Sequence, residues 1–244
     1  MTVERVPTGI PGFDELIEGG FPKASATIVT GIPGCAKTTF AMQFIVNGAL
    51  RFNDRGIYIT VEESIEALSR IFSGFGYDLK KLQNDGKIDI ISLKVKPEMG
   101  EDFLERIISD KFLERVGGFG AKRVAIDPLN LIIQFSSDMG GERRSIQRLI
   151  DSYKNLGCTL LMTHERTKQS EELEFQVVDF VVDGIIYLQM IKSIGAFSDS
   201  RTYFERRLSI LKMRETNHAQ GIYRFDIEKD GIHVYHDILL RKGV

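Results

Sequence analysis

The chain has 244 residues, of which 43% are hydrophobic and 27% are charged, so it can bury a substantial core as one large or two small domains. Its formal net charge of −2 gives no overall basic field that would draw it to nucleic acid or to an acidic membrane. Two distant cysteines argue against a disulfide framework. No signal peptide core or span of about eighteen apolar residues occurs, so we expect a cytoplasmic protein with no membrane partner.

Short apolar runs of strand length alternate with amphipathic segments along most of the chain. Apolar positions recur at helical spacing between the runs, and several runs are apolar at successive positions, which is typical of parallel strands covered on both faces. The predicted strands are 26–31, 56–62, 88–93, 123–128, 158–164 and 184–190. We therefore expect an α/β fold with a mostly parallel sheet flanked by helices.

The pattern changes after residue 184, because β-like segments then follow one another without intervening helices. These segments are GIIYLQM, RLSILKMR, GIYRFDI and GIHVYHD. Such a succession indicates an antiparallel extension of the same sheet. Since no Pro/Ser-rich linker separates the two parts, we interpret residues 1–244 as one domain.

The segment GIPGCAKTT follows the first predicted strand and opens the first predicted helix. A strand, a glycine-rich turn and a helix in this order are the context of a phosphate-binding loop, whose backbone N–H groups converge on an anion. Lys37 would neutralise the outer phosphates of a nucleotide, and the Thr38 hydroxyl would bind Mg²⁺. The predicted nucleotide-binding residues are Gly31, Ile32, Pro33, Gly34, Cys35, Ala36, Lys37, Thr38 and Thr39.

Two residues of this loop are unusual. Ala36 stands before the lysine, where the motif has glycine, and its Cβ should disfavour close approach to phosphate and left-handed backbone by about 1–2 kcal/mol. Alanine is also the better helix former by about 1 kcal/mol. We therefore expect Ala36→Gly to tighten ATP binding by up to about tenfold and to lower the melting temperature slightly. For Cys35, a position at a helix start predicts a lowered pKa.

Carboxylates follow two other predicted strands. Asp127 closes the run RVAID and suits a magnesium site, although an aspartate before proline is also ordinary turn chemistry. Glu62 and Glu63 stand at the end of the strand in the segment YITVEES and suit the activation of water, while also complementing the dipole of the next helix. Because adjacent carboxyl ends line the ligand crevice of an open α/β sheet, we expect these residues to converge there with Thr163.

Eight segments, in order, resemble the KaiC-like branch of the RecA/RadA ATPases between residues 6 and 227. They are TGIPGFDELIEGGFP, GIPGCAKTT, YITVEES, FGYDL, VAID, MTHER, VVDGIIYL and LKMRETNH. The resemblance implies a RecA-like P-loop core that binds ATP and Mg²⁺ and hydrolyses ATP slowly in a ring-shaped homo-oligomer, expected to be a hexamer. It implies that Glu62 and Glu63 are catalytic, that Asp127 serves the magnesium site and that Thr163 senses the γ-phosphate.

The segment LKMRETNH resembles the part of the family that acts on a neighbouring subunit. It would present Lys212, Arg214 and His218 to the γ-phosphate bound by the neighbouring subunit, with Lys212 and Arg214 as catalytic residues. In a regular strand, Lys212 and Arg214 share one face with Leu208 and Ile210, so both charges would point the same way. A solvated basic strand end is the alternative interpretation.

Two other functions fit parts of the sequence. A recombinase-like, DNA-dependent ATPase would hold DNA with the loops 134–144 and 165–175. The first has two acidic and two basic residues, and residues 165–174 have four acidic and two basic, so neither forms a cationic track and DNA binding is not favoured. A regulatory module that binds nucleotide without turnover would account for Ala36.

Overall fold

The computed structural model describes residues 2–93, 103–133, 139–166, 176–194 and 202–238. Its strands are β1 (Arg5–Val6), β2 (Phe21–Pro22), β3 (Ala26–Gly31), β4 (Gly56–Thr60), β5 (Ile88–Ser92), β6 (Arg123–Asp127), β7 (Thr159–Glu165), β8 (Gly184–Ile194), β9 (Thr202–Met213), β10 (Ile222–Glu228) and β11 (Gly231–Ile238). Nine of them form one sheet in the order β11-β10-β9-β8-β3-β7-β6-β4-β5, and β1 pairs with β2.

The six strands from β3 to β8 pair in parallel. Every residue of β3, β4 and β6 is buried, as expected for strands covered by helices on both faces. All six predicted strands are present. The second of them ends at Thr60, so Glu62 and Glu63 lie in the connection that follows it.

The C-terminal strands form the antiparallel extension that the sequence predicts. β9 pairs antiparallel with β8, β10 with β9, and β11 with β10. The extension continues the central sheet directly from β8, which itself pairs in parallel with β3. The phosphate-loop strand β3 is therefore flanked by β7 on one side and by the first strand of the extension on the other.

Helices cover both faces of the sheet. They are α1 (Lys37–Arg51), α2 (Ile65–Ser73), α3 (Leu79–Asn84), α4 (Phe103–Ile108), α5 (Asp110–Phe119), α6 (Leu129–Ile133), α7 (Met139–Asn155) and α8 (Val177–Val181), with a 3-10 turn at Asp14–Ile17. The face toward α1 is packed around Phe40 and Phe44, and the opposite face around α7 residues such as Ile146 and Tyr153. None of the helices in the described ranges is long and apolar enough to cross a membrane.

A β-bulge changes the direction of the side chains at the end of β9. Ile210 and Lys212 pair with consecutive residues of β8, so Leu211 has no partner in that strand. Leu208 and Ile210 pack on the α1 side, whereas the Lys212 ammonium donates to the carbonyl of Asp179 in α8 on the other side. The prediction that Lys212 shares a face with Leu208 and Ile210 is wrong, because the extra residue of the bulge shifts the alternation by one.

Candidate functional site

The turn between β3 and α1 has the close contacts and backbone conformations of a tight loop. A Cβ added to Gly31 would lie 2.3 Å from the Leu188 carbonyl oxygen in β8, so only glycine fits there. Gly34 has a φ of 84°, in the left-handed region that glycine favours. Because α1 begins at Lys37, the unpaired N–H groups of its first turn lie at the end of this loop.

Ala36 is not part of the helix, as its backbone shows.

 Ala36 caps α1 from outside, with φ 68° and ψ 26°, and this left-handed conformation costs a residue with a Cβ about 1–2 kcal/mol. Since the helix starts one residue later, the helix preference of alanine does not apply. The premise of the predicted lower melting temperature of Ala36→Gly, an alanine within the helix, is therefore wrong, and relief of the strained backbone leads us to expect the opposite sign.

The Cys35 thiol lies in the core beneath the loop. Its residue is fully buried in the apolar cluster on the α1 side. Burial raises the pKa of the Cys35 thiol and outweighs the opposing effect of the Lys37 charge. The prediction of a lowered pKa is wrong, because the thiol packs in this apolar cluster, where the charged thiolate is poorly solvated.

Lys37 is held within the loop. Its ammonium donates to the carbonyls of Gly31 and Ile32, both at 3.0 Å, and lies 3.5 Å from a carboxylate oxygen of Glu165. Lys37 is 7% exposed and Glu165 is 45% exposed. Glu165 is a residue of this site that the sequence analysis missed, although its place at the end of β7, next to β3, is the signal that identifies it.

Asp127 lies buried at the end of β6. One carboxylate oxygen accepts a hydrogen bond from the Tyr58 hydroxyl at 2.5 Å, and the other accepts one from the Thr163 hydroxyl. The predicted proximity of Asp127 and Thr163 is therefore present. Tyr58 was also missed, and its pKa is raised by burial and by the neighbouring Asp127, so the phenol stays protonated and continues to donate.

Glu62 and Glu63 are exposed at the same edge of the sheet. Burial of part of its side chain raises the pKa of Glu62, and the negative charges of Glu165 and Asp127 raise it further. The charges of Asp127 and Lys37 therefore influence the ionisation of the Glu62 carboxylate. The backbone N–H of Glu63 donates to the Thr60 hydroxyl, which fixes the turn that carries both glutamates.

The chemistry of Thr38 and Asp127 suits Mg²⁺, which prefers oxygen ligands and is commonly held by one or two carboxylates together with substrate phosphates. Each Asp127 oxygen accepts a hydrogen bond and keeps a second lone pair for a metal-bound water. Within the described ranges no three His, Cys, Asp or Glu side chains form a metal cluster. A magnesium ion would therefore depend on Thr38, Asp127 and the phosphates together.

The structure does not bring Lys212, Arg214 and His218 to this edge. Gly184 of β8 pairs with Thr27 of β3 and with Met213 of β9, so Arg214 lies at the amino end of β3, whereas the phosphate loop leaves its carboxyl end. The six residues of β3 separate the two positions by about 17–20 Å. Arg214 donates to Asp183 at 3.2 Å, and the His218 ring contacts the carbonyl of Ala219.

Of the two loops considered for DNA binding, residues 134–138 and 167–175 lie outside the described residues. A cavity of about 580 Å³ between α2 and α3 is lined by residues such as Arg70 and Tyr77, and none of its lining residues belongs to the phosphate loop. This cavity is therefore not part of the candidate nucleotide site, which lies at the carboxyl edge of the sheet.

Comparison with known proteins gives one consistent family. The family model described as the KaiC ATPase matches residues 6–238. The circadian clock oscillator protein KaiC of Prochlorococcus marinus is 35% identical over 240 residues, which cover 96% of this chain and 46% of that protein. The circadian clock protein KaiC3 of Synechocystis is 35% identical over 237 residues, which cover 94% of this chain and 45% of that protein.

A solved structure extends the match to the fold. The crystal structure of a KaiC-like protein from Pyrococcus horikoshii matches with a TM-score of 0.78 at 34% identity, covering 96% of this chain and 99% of that chain. The chain spans less than half the length of the curated relatives that it matches. From the family match, the shared P-loop and the RecA-like sheet, we conclude that the chain belongs to the KaiC family of ATPase domains.

Proposed function

We propose that the chain binds ATP with Mg²⁺ at its phosphate loop and hydrolyses ATP slowly within a ring-shaped homo-oligomer, expected to be a hexamer. The observation that carries this proposal is the separation of two sets of residues. Lys37, Glu62 and Asp127 lie at the carboxyl edge of the sheet, at or just after the ends of β3, β4 and β6, whereas Arg214 lies at the amino end of β3. Arg214 can therefore serve a γ-phosphate only when another subunit binds it.

The residues at the carboxyl edge have complementary tasks in this proposal. The N–H groups of the loop and of the first turn of α1 bind the phosphates, and Lys37 leaves the carbonyls of Gly31 and Ile32 to neutralise the outer ones. Glu62 accepts a proton from the attacking water, and its raised pKa makes it a stronger base than an ordinary glutamate. Glu63 is the second glutamate of the family pair.

Thr38 and Asp127 would hold Mg²⁺, Thr38 directly and Asp127 through water. When bound, the ion supplies positive charge that offsets the charge developing on the phosphates. Tyr58 and Thr163 keep the Asp127 carboxylate in place through their hydrogen bonds. Lys212 and Arg214 of a neighbouring subunit would add the cationic charge that stabilises the transferred phosphoryl group.

ATP binding and turnover of the Lys37→Ala variant test this function. We expect wild type to bind ATP in a calorimetric titration and to release phosphate slowly, and Lys37→Ala to lose both because its loop has no cation for the outer phosphates. Lys23→Ala, which removes an exposed lysine of a surface ion pair, is the matched control and should behave as wild type. Unchanged ATP affinity in the Lys37→Ala protein would contradict the assignment of the phosphate loop.

A further inference from the structure

Asp179 is a buried carboxylate that lies between a trans-acting lysine and the phosphate-loop strand. Its side chain is 1% exposed, and one of its oxygens accepts a hydrogen bond from Arg166 at 2.7 Å. The same oxygen accepts the backbone N–H of Gln176 at 2.8 Å. The backbone carbonyl of Asp179 accepts a hydrogen bond from the Lys212 ammonium at 3.1 Å. Asp179 thus contacts Lys212 through its backbone and Arg166 through its side chain.

Arg166 is in turn fixed to the end of β3. Its Nε donates to the Thr30 hydroxyl at 3.0 Å, and its backbone N–H donates to the Gly31 carbonyl at 3.2 Å. The Gly31 carbonyl is also one of the two that accept hydrogen bonds from Lys37. A short series of buried and partly buried contacts therefore joins the subunit's own phosphate loop to Lys212.

Helix α8 needs such an anchor. It has five residues, and a helix this short is not stable without tertiary contacts. Lysine has a flexible stem, so the direction of its ammonium depends on the group that holds it, which here is a carbonyl of α8. The Arg166–Asp179 pair sets the position of that carbonyl. The bulge in β9 contributes by turning Lys212 toward α8.

We propose that Asp179 is a positioning residue for Lys212, holding it in the orientation in which it reaches the nucleotide of the neighbouring subunit. This inference rests on the proposed trans role of Lys212. Among the described residues, the Asp179 carboxylate contacts no side chain of the phosphate loop. Its proposed role is indirect, because the position of Lys212 then depends on the buried ion pair between Asp179 and Arg166.

The test uses mixed rings in which wild-type subunits are diluted into an excess of donor subunits carrying Lys37→Ala. Only wild-type subunits then bind ATP, and most of their sites are completed by a donor, so kcat is measured per wild-type subunit at saturating ATP. Adding Asp179→Asn to the donors should lower this kcat by about tenfold, because a small displacement of the Lys212 ammonium weakens its action on the transition state. Adding Lys212→Ala should lower it at least as much.

The combination of substitutions separates positioning from general damage. Donors with both Asp179→Asn and Lys212→Ala should be no worse than donors with Lys212→Ala, because Asp179 acts through Lys212. Donors with Asp54→Asn are the matched control, since Asp54 forms a comparable 2.7 Å pair with the buried Arg123 far from Lys212, and they should support full turnover. If Asp179→Asn donors do not enter rings, Arg166→Lys donors should show a smaller loss in the same direction.

Each contrary outcome has a distinct meaning. Full turnover with Lys212→Ala donors would contradict the trans role in the proposed function. A loss with Lys212→Ala donors but full turnover with Asp179→Asn and Arg166→Lys donors would overturn the positioning role alone. Losses that multiply in the double variant, or an equal loss with Asp54→Asn donors, would also overturn it, because Asp179 would then matter only for general stability.

Discussion

At the scale of single residues, Ala36 introduces backbone strain into the phosphate loop. Its left-handed backbone, at φ 68°, is strained for alanine and relaxed for glycine. We predict that Ala36→Gly raises the free energy of unfolding by about 1 kcal/mol after the greater freedom of glycine in the unfolded chain is subtracted. For a protein of this size the melting temperature should rise by about 2–4 °C. A lower melting temperature without nucleotide would contradict this.

The effect of Ala36→Gly on ATP binding has a separate physical basis. The left-handed conformation is present before any phosphate is considered, so relief of strain does not by itself favour the complex. Only closer approach of the backbone to the phosphates remains as a reason for tighter binding. The gain of up to about tenfold stays a prediction, and a calorimetric titration of the two proteins measures it directly.

Through Glu62, kcat should depend on pH, and the neighbours of Glu62 set the direction in which that dependence shifts. As a general base it must be ionised, so kcat rises with pH through its pKa. The negative charge of Glu165 helps to raise that pKa, and Glu165→Gln should lower it and move the acidic limb of kcat to lower pH. Glu114→Gln, an equal charge change at an exposed site on α5, should leave the limb in place. A shift to higher pH in Glu165→Gln would exclude this role for Glu165.

At the scale of secondary-structure elements, Asp183 joins the amino end of β3 to the carboxyl ends of α7 and β9. It accepts hydrogen bonds from the Ala26 N–H of β3, from Lys154 of α7 and from Arg214 after β9. Burial acts to raise the pKa of Asp183, but these hydrogen bonds and the Lys154 charge outweigh it, and the pKa is lowered. A carboxylate with a lowered folded-state pKa stabilises the fold above its unfolded pKa, and this contribution is lost as the pH falls through the folded value.

We therefore predict that Asp183→Asn lowers the free energy of unfolding by about 1–3 kcal/mol at pH 7, because it weakens contacts to a buried charge. The difference between wild type and variant should begin to shrink below about pH 4, the ordinary pKa of an aspartate in the unfolded chain, and should vanish as the pH falls through the lowered pKa of the folded state. Denaturant titrations at several pH values measure both quantities. Asp85→Asn, at an exposed position, is the control. A difference that does not change with pH would mean that the Asp183 charge is not responsible.

The elements also show what the sequence can and cannot predict. Apolar runs predicted the parallel strands, and their carboxyl ends predicted the meeting of Asp127 and Thr163. The bulge in β9 was not predictable, because it depends on how β9 pairs with β8 and leaves no mark in the hydrophobic pattern. In the sequence, Glu165 is one charge of a loop and Tyr58 is one residue of an apolar strand. The pattern does not reveal their roles, because those roles depend on neighbours in adjacent strands.

At the scale of the whole molecule, the order of the sheet separates two functional ends. Parallel strands direct the phosphate loop and the carboxylates to one edge, and the antiparallel return of β9 carries Arg214 to the other. One subunit thus presents a phosphate site at one end and a cation at the opposite end. In the proposed ring, repeating such a head-to-tail contact would let each subunit complete the site of the next.

Complementation between two inactive variants tests this central claim most directly. Lys37→Ala lacks the phosphate-binding lysine but keeps Arg214, whereas Arg214→Ala keeps the phosphate loop but lacks the cation that it would offer its neighbour. Each protein alone should hydrolyse little ATP. In an equal mixture with random assembly, the account predicts recovery of about one quarter of wild-type activity, because that fraction of sites combines an intact loop with an intact neighbour. No recovery in mixed rings of verified composition, or a monomer that hydrolyses ATP at the full rate, would contradict it.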